Sequence, residues 1–185
     1  MTLSIVVEDG TSKTTANSYI SLADAELYFE GRLHSSVWTA AVAGIKNQAL
    51  AHAARVIDRY VNWIGWKTLD TQAMQWPRAG IYYDGSKYWS DTSYQIEWEV
   101  YSVADNSIPQ EIKDAQCELA LVLIGSDTQK TPDTAGFKSV EISGAVSLEV
   151  DTADRVREIP AHIMRLIQHF GSLRGASGTV NLVRC

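Results

Sequence analysis

Few residues of this chain could carry chemistry, and their spacing matches no familiar site. His162 and His169 could share one helix face, but the histidines lack the spacing of metal ligands. Asp114 and Glu118 lie four residues apart on a predicted helix, where a solvated face is favoured over an acid–base pair. The sequence has no nucleophile elbow, phosphate-binding loop, dinucleotide fingerprint or HExxH motif. We therefore expect no enzyme activity, no cofactor and no metal site.

Aromatic residues offer a different chemistry, because unpaired nucleic-acid bases stack on such rings. Nine of them lie between positions 63 and 98: Trp63, Trp66, Trp76, Tyr82, Tyr83, Tyr88, Trp89, Tyr94 and Trp98. A stacking groove interleaves the rings with arginine and lysine, whereas residues 80–105 hold five acidic side chains and only Lys87. Core packing and protein contacts are favoured for these rings, and single-stranded-DNA binding remains the alternative.

The overall charge also favours protein partners over nucleic acid. The formal net charge is −6, which opposes nonspecific attraction to a phosphate backbone, although a local basic patch could still exist. From Arg155 to the end, by contrast, five arginines stand against one acidic residue, Glu158. An acidic middle and a basic C-terminal end predict a polarised subunit suited to head-to-tail or stacked-ring contacts.

The length of 185 residues and the apolar fraction of 45% predict one folded domain with an ordinary core. We assign residues 1–170 to this domain and residues 171–185 to a flexible arm. No window approaches the roughly 20 apolar residues of a membrane span, and the N-terminus does not resemble a signal peptide. Two cysteines, Cys117 and Cys185, suit a reducing compartment. We expect a location in the cytoplasm or in a particle assembled there.

Apolar periodicity predicts a mainly α fold, a helical bundle. A short helix begins after Ser21 and stops at Gly31, and a long amphipathic stripe runs from Trp38 to Ile64. Two further helices open at Ile-Pro pairs: Ile108-Pro109 and Ile159-Pro160.

Two alternating regions predict β-hairpins inserted in this bundle, near residues 81–101 and 137–150. Asp84-Gly85 supplies a turn in the first and Ser143-Gly144 in the second. Tyr94 and Trp98 fall in the first hairpin, where we expect contacts with a neighbouring subunit or another protein.

The segment Trp76-Pro77-Arg78 follows the long stripe, and we predict that it is a structural anchor and contributes to contacts with a neighbouring subunit or neck protein. We expect Trp76 to be buried against the long helix or a neighbouring subunit, and Arg78 to pair with a carboxylate.

The order of short elements along the chain resembles the head-to-tail connector (adaptor) proteins of tailed phages, including a branch labelled DnaT-like single-stranded-DNA-binding proteins. The matching elements are Glu8-Asp9-Gly10, Asn17-Ser18-Tyr19-Ile20-Ser21, Trp38-Thr39-Ala40-Ala41, Ala49-Leu50 through Arg55-Val56-Ile57-Asp58, Gln72 through Trp76-Pro77-Arg78, Ile108-Pro109 through Glu118-Leu119-Ala120, and Ile159-Pro160-Ala161. They cover most of residues 8–170. Residues 79–105 are longer and more aromatic than this family pattern.

The resemblance implies a structural protein of the virion neck, assembled in the host cytoplasm into a dodecameric ring beneath the portal. Duplex DNA would pass through its lumen without specific binding, and the next neck or tail protein would dock on it. In that family the C-terminal end reaches into the portal. The implied portal-binding residues of the arm are Leu173, Arg174, Val180, Leu182, Val183 and Arg184.

Overall fold

The computed structural model describes residues 3–82, 102–130, 139–142, 146–149 and 158–174. Its helices are α1 (Leu22–Glu30), α2 (Ser36–Ala40), α3 (Ala43–Tyr60), α4 (Gln110–Gly125) and α5 (Ala161–Ile167). Its strands are β1 (Val61–Trp63), β2 (Trp66–Lys67), β3 (Arg78–Ala79), β4 (Ser139–Ile142), β5 (Val146–Glu149) and β6 (Gly171–Leu173). The mainly α fold with small strand pairs is confirmed. None of the described helices is both long and apolar enough to span a membrane.

Helix α1 begins and ends where the sequence predicts. The Ser21 side chain accepts a hydrogen bond from the backbone N–H of Asp24 at 3.1 Å, which satisfies one of the free donors of the first turn. Gly31 follows the last residue as the C-cap. Ala25 and Phe29 are buried on the inner face.

The long stripe from Trp38 to Ile64 is not one helix, and this prediction is wrong. Ala41 and Val42 adopt extended backbone angles that separate α2 from α3. After Tyr60 the chain leaves the helix and Val61–Trp63 forms β1, which pairs antiparallel with Gly171–Leu173. Apolar spacing cannot reveal this exit, because the strand partner lies far away in the chain.

The core lies where α4 crosses α3 and α5. Leu50 and Ile57 of α3, Leu119 of α4, and Ile163 and Ile167 of α5 are fully buried. A polar residue sits among them. The Gln116 amide accepts from the backbone N–H of Tyr19 at 2.9 Å and donates to the Leu50 carbonyl at 2.9 Å and the Ser18 hydroxyl at 2.7 Å. These bonds tie the N-terminal segment to both central helices.

The N-terminal segment packs on the bundle through buried polar groups. The Glu8 carboxylate is buried and accepts from the backbone N–H groups of Gly10, Ser12 and Lys13 at 2.7–3.0 Å. Gly10 has φ +99°, and a Cβ there would lie 1.8 Å from the Asn106 carbonyl oxygen. Glycine is therefore required at this close approach.

The hairpin near residues 137–150 is confirmed, with Ser139 opposite Glu149 and Ile142 opposite Val146. Most of the hairpin predicted near 81–101 lies outside the described residues; at its flanks, the Val103 N–H donates to the Ile81 carbonyl at 2.9 Å. Tyr82 and Ser102 form an antiparallel bridge at the same place. Tyr94 and Trp98 lie outside the described residues.

The segment predicted to be a flexible arm, residues 171–185, begins with a strand, because Gly171–Leu173 forms β6. A Cβ on Gly171 would lie 2.6 Å from a Val61 methyl group, so its glycine is explained by close strand approach. Leu173, which the family resemblance places among the portal-binding residues of the arm, packs partly buried against the core. Val180, Leu182, Val183 and Arg184 lie outside the described residues.

Candidate functional site

A network of polar groups joins the N-terminal segment, α3 and the loop before β3. The Tyr19 hydroxyl donates to one Asp58 carboxylate oxygen at 2.5 Å, and the other oxygen accepts the Gln75 N–H at 3.0 Å. The Tyr19 oxygen also accepts from the N–H groups of Gln75 at 3.2 Å and Trp76 at 3.3 Å. Three segments distant in sequence are thereby held in one geometry.

The network changes the acidity of its two titratable groups. Burial raises the pKa of Asp58 to about 6, against the opposing effect of the hydrogen bonds from Tyr19 and Gln75. Burial, together with the Asp58 charge, raises the pKa of Tyr19 well above its ordinary value of 10. At neutral pH Tyr19 is therefore a neutral donor and Asp58 is mainly ionised.

A cleft of roughly 450 Å³ opens beside this network. The cleft is lined by the small side chains of Ala16, Ala51 and Ala73, which do not fill it. Its charged lining consists of Arg55 and Arg59 from α3, Arg174 after β6, and Asp58. Three positive charges thus face one negative charge, in a chain whose formal net charge is −6.

The three arginines are held differently. Arg55 and Arg59 are exposed, one helical turn apart on α3, and their side chains form no ion pair or hydrogen bond within the part of the chain that the structure describes. Arg174 is fixed at the cleft because its backbone N–H donates to the Tyr60 carbonyl at 2.8 Å and its Nε to the Val61 carbonyl at 3.3 Å. Arg174 lies in the segment predicted to be the arm. Arg55 and Arg59 are not among the predicted site residues, and their only signal in the sequence is their spacing of four residues.

The predicted burial of Trp76 is confirmed, since this residue is fully buried within the chain. It packs edge-to-face on Trp63, at a centroid distance of 5.8 Å, and on Phe170, at 5.5 Å. Pro77 is buried beside it. The contacts come from β1 and the residue before β6.

The predicted partner of Arg78 is wrong. Its guanidinium donates to the backbone carbonyls of Ile64 at 2.8 Å, Gly65 at 2.7 Å and Gln75 at 3.2 Å, and it forms no ion pair with any described carboxylate. Gly65 has φ +68°, so its turn exposes carbonyls that need a donor. Arg78 therefore satisfies a turn that sequence patterns do not show.

Glu118 does not lie on a solvated face, contrary to the prediction. It is buried and bound in a two-bond fork by Arg32, and it accepts the Tyr28 hydroxyl at 2.8 Å. Burial favours the neutral acid, but the hydrogen bonds from Arg32 and Tyr28 outweigh it and hold the pKa of Glu118 below its ordinary value. This pair joins α1 to α4 and has no feature of an acid–base site.

The histidines are not gathered into a site in the described residues. The His52 ring contacts the Gln129 side-chain oxygen at 2.9 Å, and His162 and His169 are exposed. No group of three histidine, cysteine, aspartate or glutamate side chains within the described ranges could hold a metal ion.

Two separate apolar surfaces remain exposed. The N-end patch consists of exposed residues from α1 to the first turn of α3 and comprises Leu27, Leu33, Val37, Val42 and Ile45. Leu33 is 82% exposed and Val42 is 68% exposed. Glu26 binds both the Trp38 indole and the Lys46 ammonium, so α1 and α2 converge on the start of α3. The C-end patch follows the other end of α3 and comprises Ile64, Trp66 and Leu69.

Comparison with known proteins assigns a family to the chain. No curated protein matches it. No solved structure matches it either. One family does match, described as "Putative DnaT-like ssDNA binding protein", and the match runs over residues 3–185. Because this match spans almost the whole sequence, the chain belongs to that DnaT-like family.

Proposed function

We propose that this protein is a structural head-to-tail connector subunit of a tailed phage, without catalytic activity. It would form a ring, dodecameric in the related connectors, beneath the portal in the virion neck. The ring would extend the DNA channel and bridge the portal to the next neck or tail protein. Two observations support this proposal. One is the order of short sequence elements, which resembles that of the connectors, and the other is the pair of exposed apolar surfaces.

The observation that carries the proposal is the pair of unlike apolar patches at opposite ends of α3. This helix has 18 residues and therefore spans about 27 Å. A two-fold dimer uses the same patch on both subunits, whereas two different, separated patches suit head-to-tail contacts that close into a ring. Exposed apolar patches of this kind mark protein–protein contacts in general.

Complementary blocking of the two patches tests this association. The double substitution Leu33→Glu/Val42→Glu blocks the N-end patch, and Trp66→Glu blocks the C-end patch. If the contacts are head-to-tail, each variant alone is a monomer by native mass spectrometry, and a mixture of the two forms a one-to-one heterodimer. A mixture that stays monomeric, under conditions in which the parent chain assembles, would contradict the head-to-tail arrangement.

The C-terminal arm provides the test of portal docking. Removing everything after Phe170 would delete β6 and its pairing with Val61–Trp63, so the informative truncation ends after Arg174. The proposal expects this shortened chain to fold like the parent but to be absent from the necks of portal-bearing heads in electron micrographs. Normal occupancy of those necks would exclude the docking role of residues 175–185.

Single-stranded-DNA binding, as a replication accessory protein, is the second candidate, and the description of the matching family favours it. The arginine-lined cleft supplies local positive charge that the overall composition hides. A gel shift at physiological salt with single-stranded and duplex oligonucleotides of equal length separates the two candidates. Binding that prefers the single strand supports this candidate, and no shift of either probe supports the connector.

A further inference from the structure

We infer that the cleft lined by Arg55, Arg59 and Arg174 is a binding site for a phosphate group. This site is independent of the apolar patches that carry the connector proposal. The phosphate could belong to a polynucleotide backbone or be a free anion, and the same side chains would recognise both.

The positive charge of the cleft is not balanced by its one carboxylate, Asp58. Arg55 and Arg59 stand four residues apart on α3, where like charges repel each other and destabilise a helix. No carboxylate among the described residues pairs with either of them. Asp58 lies between them in sequence, but its oxygens already accept hydrogen bonds from Tyr19 and Gln75. An anion from outside the chain would relieve the repulsion.

The chemistry of the guanidinium groups and their placement in the cleft also suit a phosphate. A guanidinium presents a planar fork of N–H donors that matches phosphate oxygens in pairs, which a lysine ammonium does not. Arg174 is already oriented by its bonds to the Tyr60 and Val61 carbonyls, so ordering it for a ligand costs little further entropy. The other two come from a rigid helix, with alanines leaving open space in front of them.

Inorganic phosphate and the parent chain provide the direct test. Titration calorimetry at constant pH and ionic strength, with chloride replacing phosphate in the reference, should detect binding of phosphate. Arg55→Gln and Arg59→Gln should each weaken it by about tenfold, the effect of losing one charge-assisted hydrogen bond. The matched control is Arg165→Gln, an exposed arginine on α5 outside the cleft, which should leave the affinity unchanged.

The source of the phosphate is decided by a second probe, a single-stranded oligonucleotide. Tighter binding of the oligonucleotide than of inorganic phosphate, with the same dependence on Arg55 and Arg59, assigns a backbone phosphate. Binding of inorganic phosphate alone assigns a free anion. Both results support the site, and neither depends on whether the chain forms a ring.

Three outcomes would overturn the inference. One is the absence of binding by both probes. Another is an equal loss of affinity in Arg55→Gln and Arg165→Gln, which would show only general charge attraction. The third concerns a peptide with the acidic sequence of residues 91–105. If this peptide binds at these arginines and phosphate does not, the cleft is a protein contact.

Discussion

The Trp76–Arg78 junction and the arginine cleft both include Gln75, but their arginines differ in burial and in hydrogen bonding. At the junction, the Arg78 guanidinium is buried and donates to three backbone carbonyls. In the cleft, Arg55 and Arg59 are exposed and have no partner among the described residues. A guanidinium enclosed by backbone carbonyls therefore supports the fold, whereas one exposed at an open cleft keeps its N–H donors available to a ligand. Four substitutions test this difference between the two regions.

The largest effect is expected for Trp76→Ala, which should lower the free energy of unfolding by about 3–5 kcal/mol. The ring is fully buried between Trp63 and Phe170, and its N–H has no acceptor among the described residues, so packing accounts for its contribution. Urea denaturation measures the loss. The control is Trp66→Ala, where the ring is 65% exposed and the expected cost is below about 1 kcal/mol. Equal costs at the two tryptophans would refute the anchor role.

The next largest effect is expected for Arg78→Lys, which keeps the charge but should lower the free energy of unfolding by about 2 kcal/mol. An ammonium group cannot reach the Ile64, Gly65 and Gln75 carbonyls together, so buried acceptors lose their donor. Arg55→Lys is the matched change at the open cleft and should leave the unfolding free energy within about 0.5 kcal/mol of the parent. If both substitutions proved neutral in the same denaturation experiment, the junction would not differ from the cleft.

Asp58 lines the cleft and accepts the Gln75 N–H, so it contacts both regions. Its contribution to the free energy of unfolding should depend on pH. In the folded chain its pKa is about 6, above the ordinary 3.8, because of burial. The unfolded chain therefore loses this proton first as the pH rises, and the contribution of Asp58 to stability declines between about pH 4 and pH 6. Over this interval, the free energy of unfolding of the parent should fall by about 2 kcal/mol relative to that of Asp58→Asn.

Unfolding free energies of both proteins at pH 4, 5, 6 and 7 check this prediction. Glu26 and Glu118 have lowered pKa values and change stability in the opposite direction, but they are present in both proteins and cancel in the difference. A difference that stays constant with pH would show that Asp58 titrates normally.

The smallest effect is a gain in stability from Arg55→Glu. This change replaces the repulsive pair Arg55 and Arg59 with an attractive glutamate–arginine pair four residues apart on α3, worth about 0.5 kcal/mol. If the arginines serve a ligand and not the fold, the variant should melt slightly higher while losing phosphate binding. A marked loss of stability in a thermal melt would instead give Arg55 a structural role.

Local patterns in the sequence determined much of the fold. The Ser21 cap, the helix after Pro109, the antiparallel pairing of β4 with β5 and the burial of Trp76 depend on near neighbours or on large apolar area, and all agree with the structure. Family membership also follows from the sequence, through the order of its short elements.

Tertiary structure alone decided what involves partners distant in the chain. The end of α3 at Tyr60, the burial of Glu118 against Arg32 and the carbonyl partners of Arg78 require contacts that periodicity does not contain. The cleft is the clearest case. Arg55 and Arg59 are surface residues of a helix until the β1–β6 pairing brings Arg174 beside them, because a site made of distant segments exists only after the chain has folded.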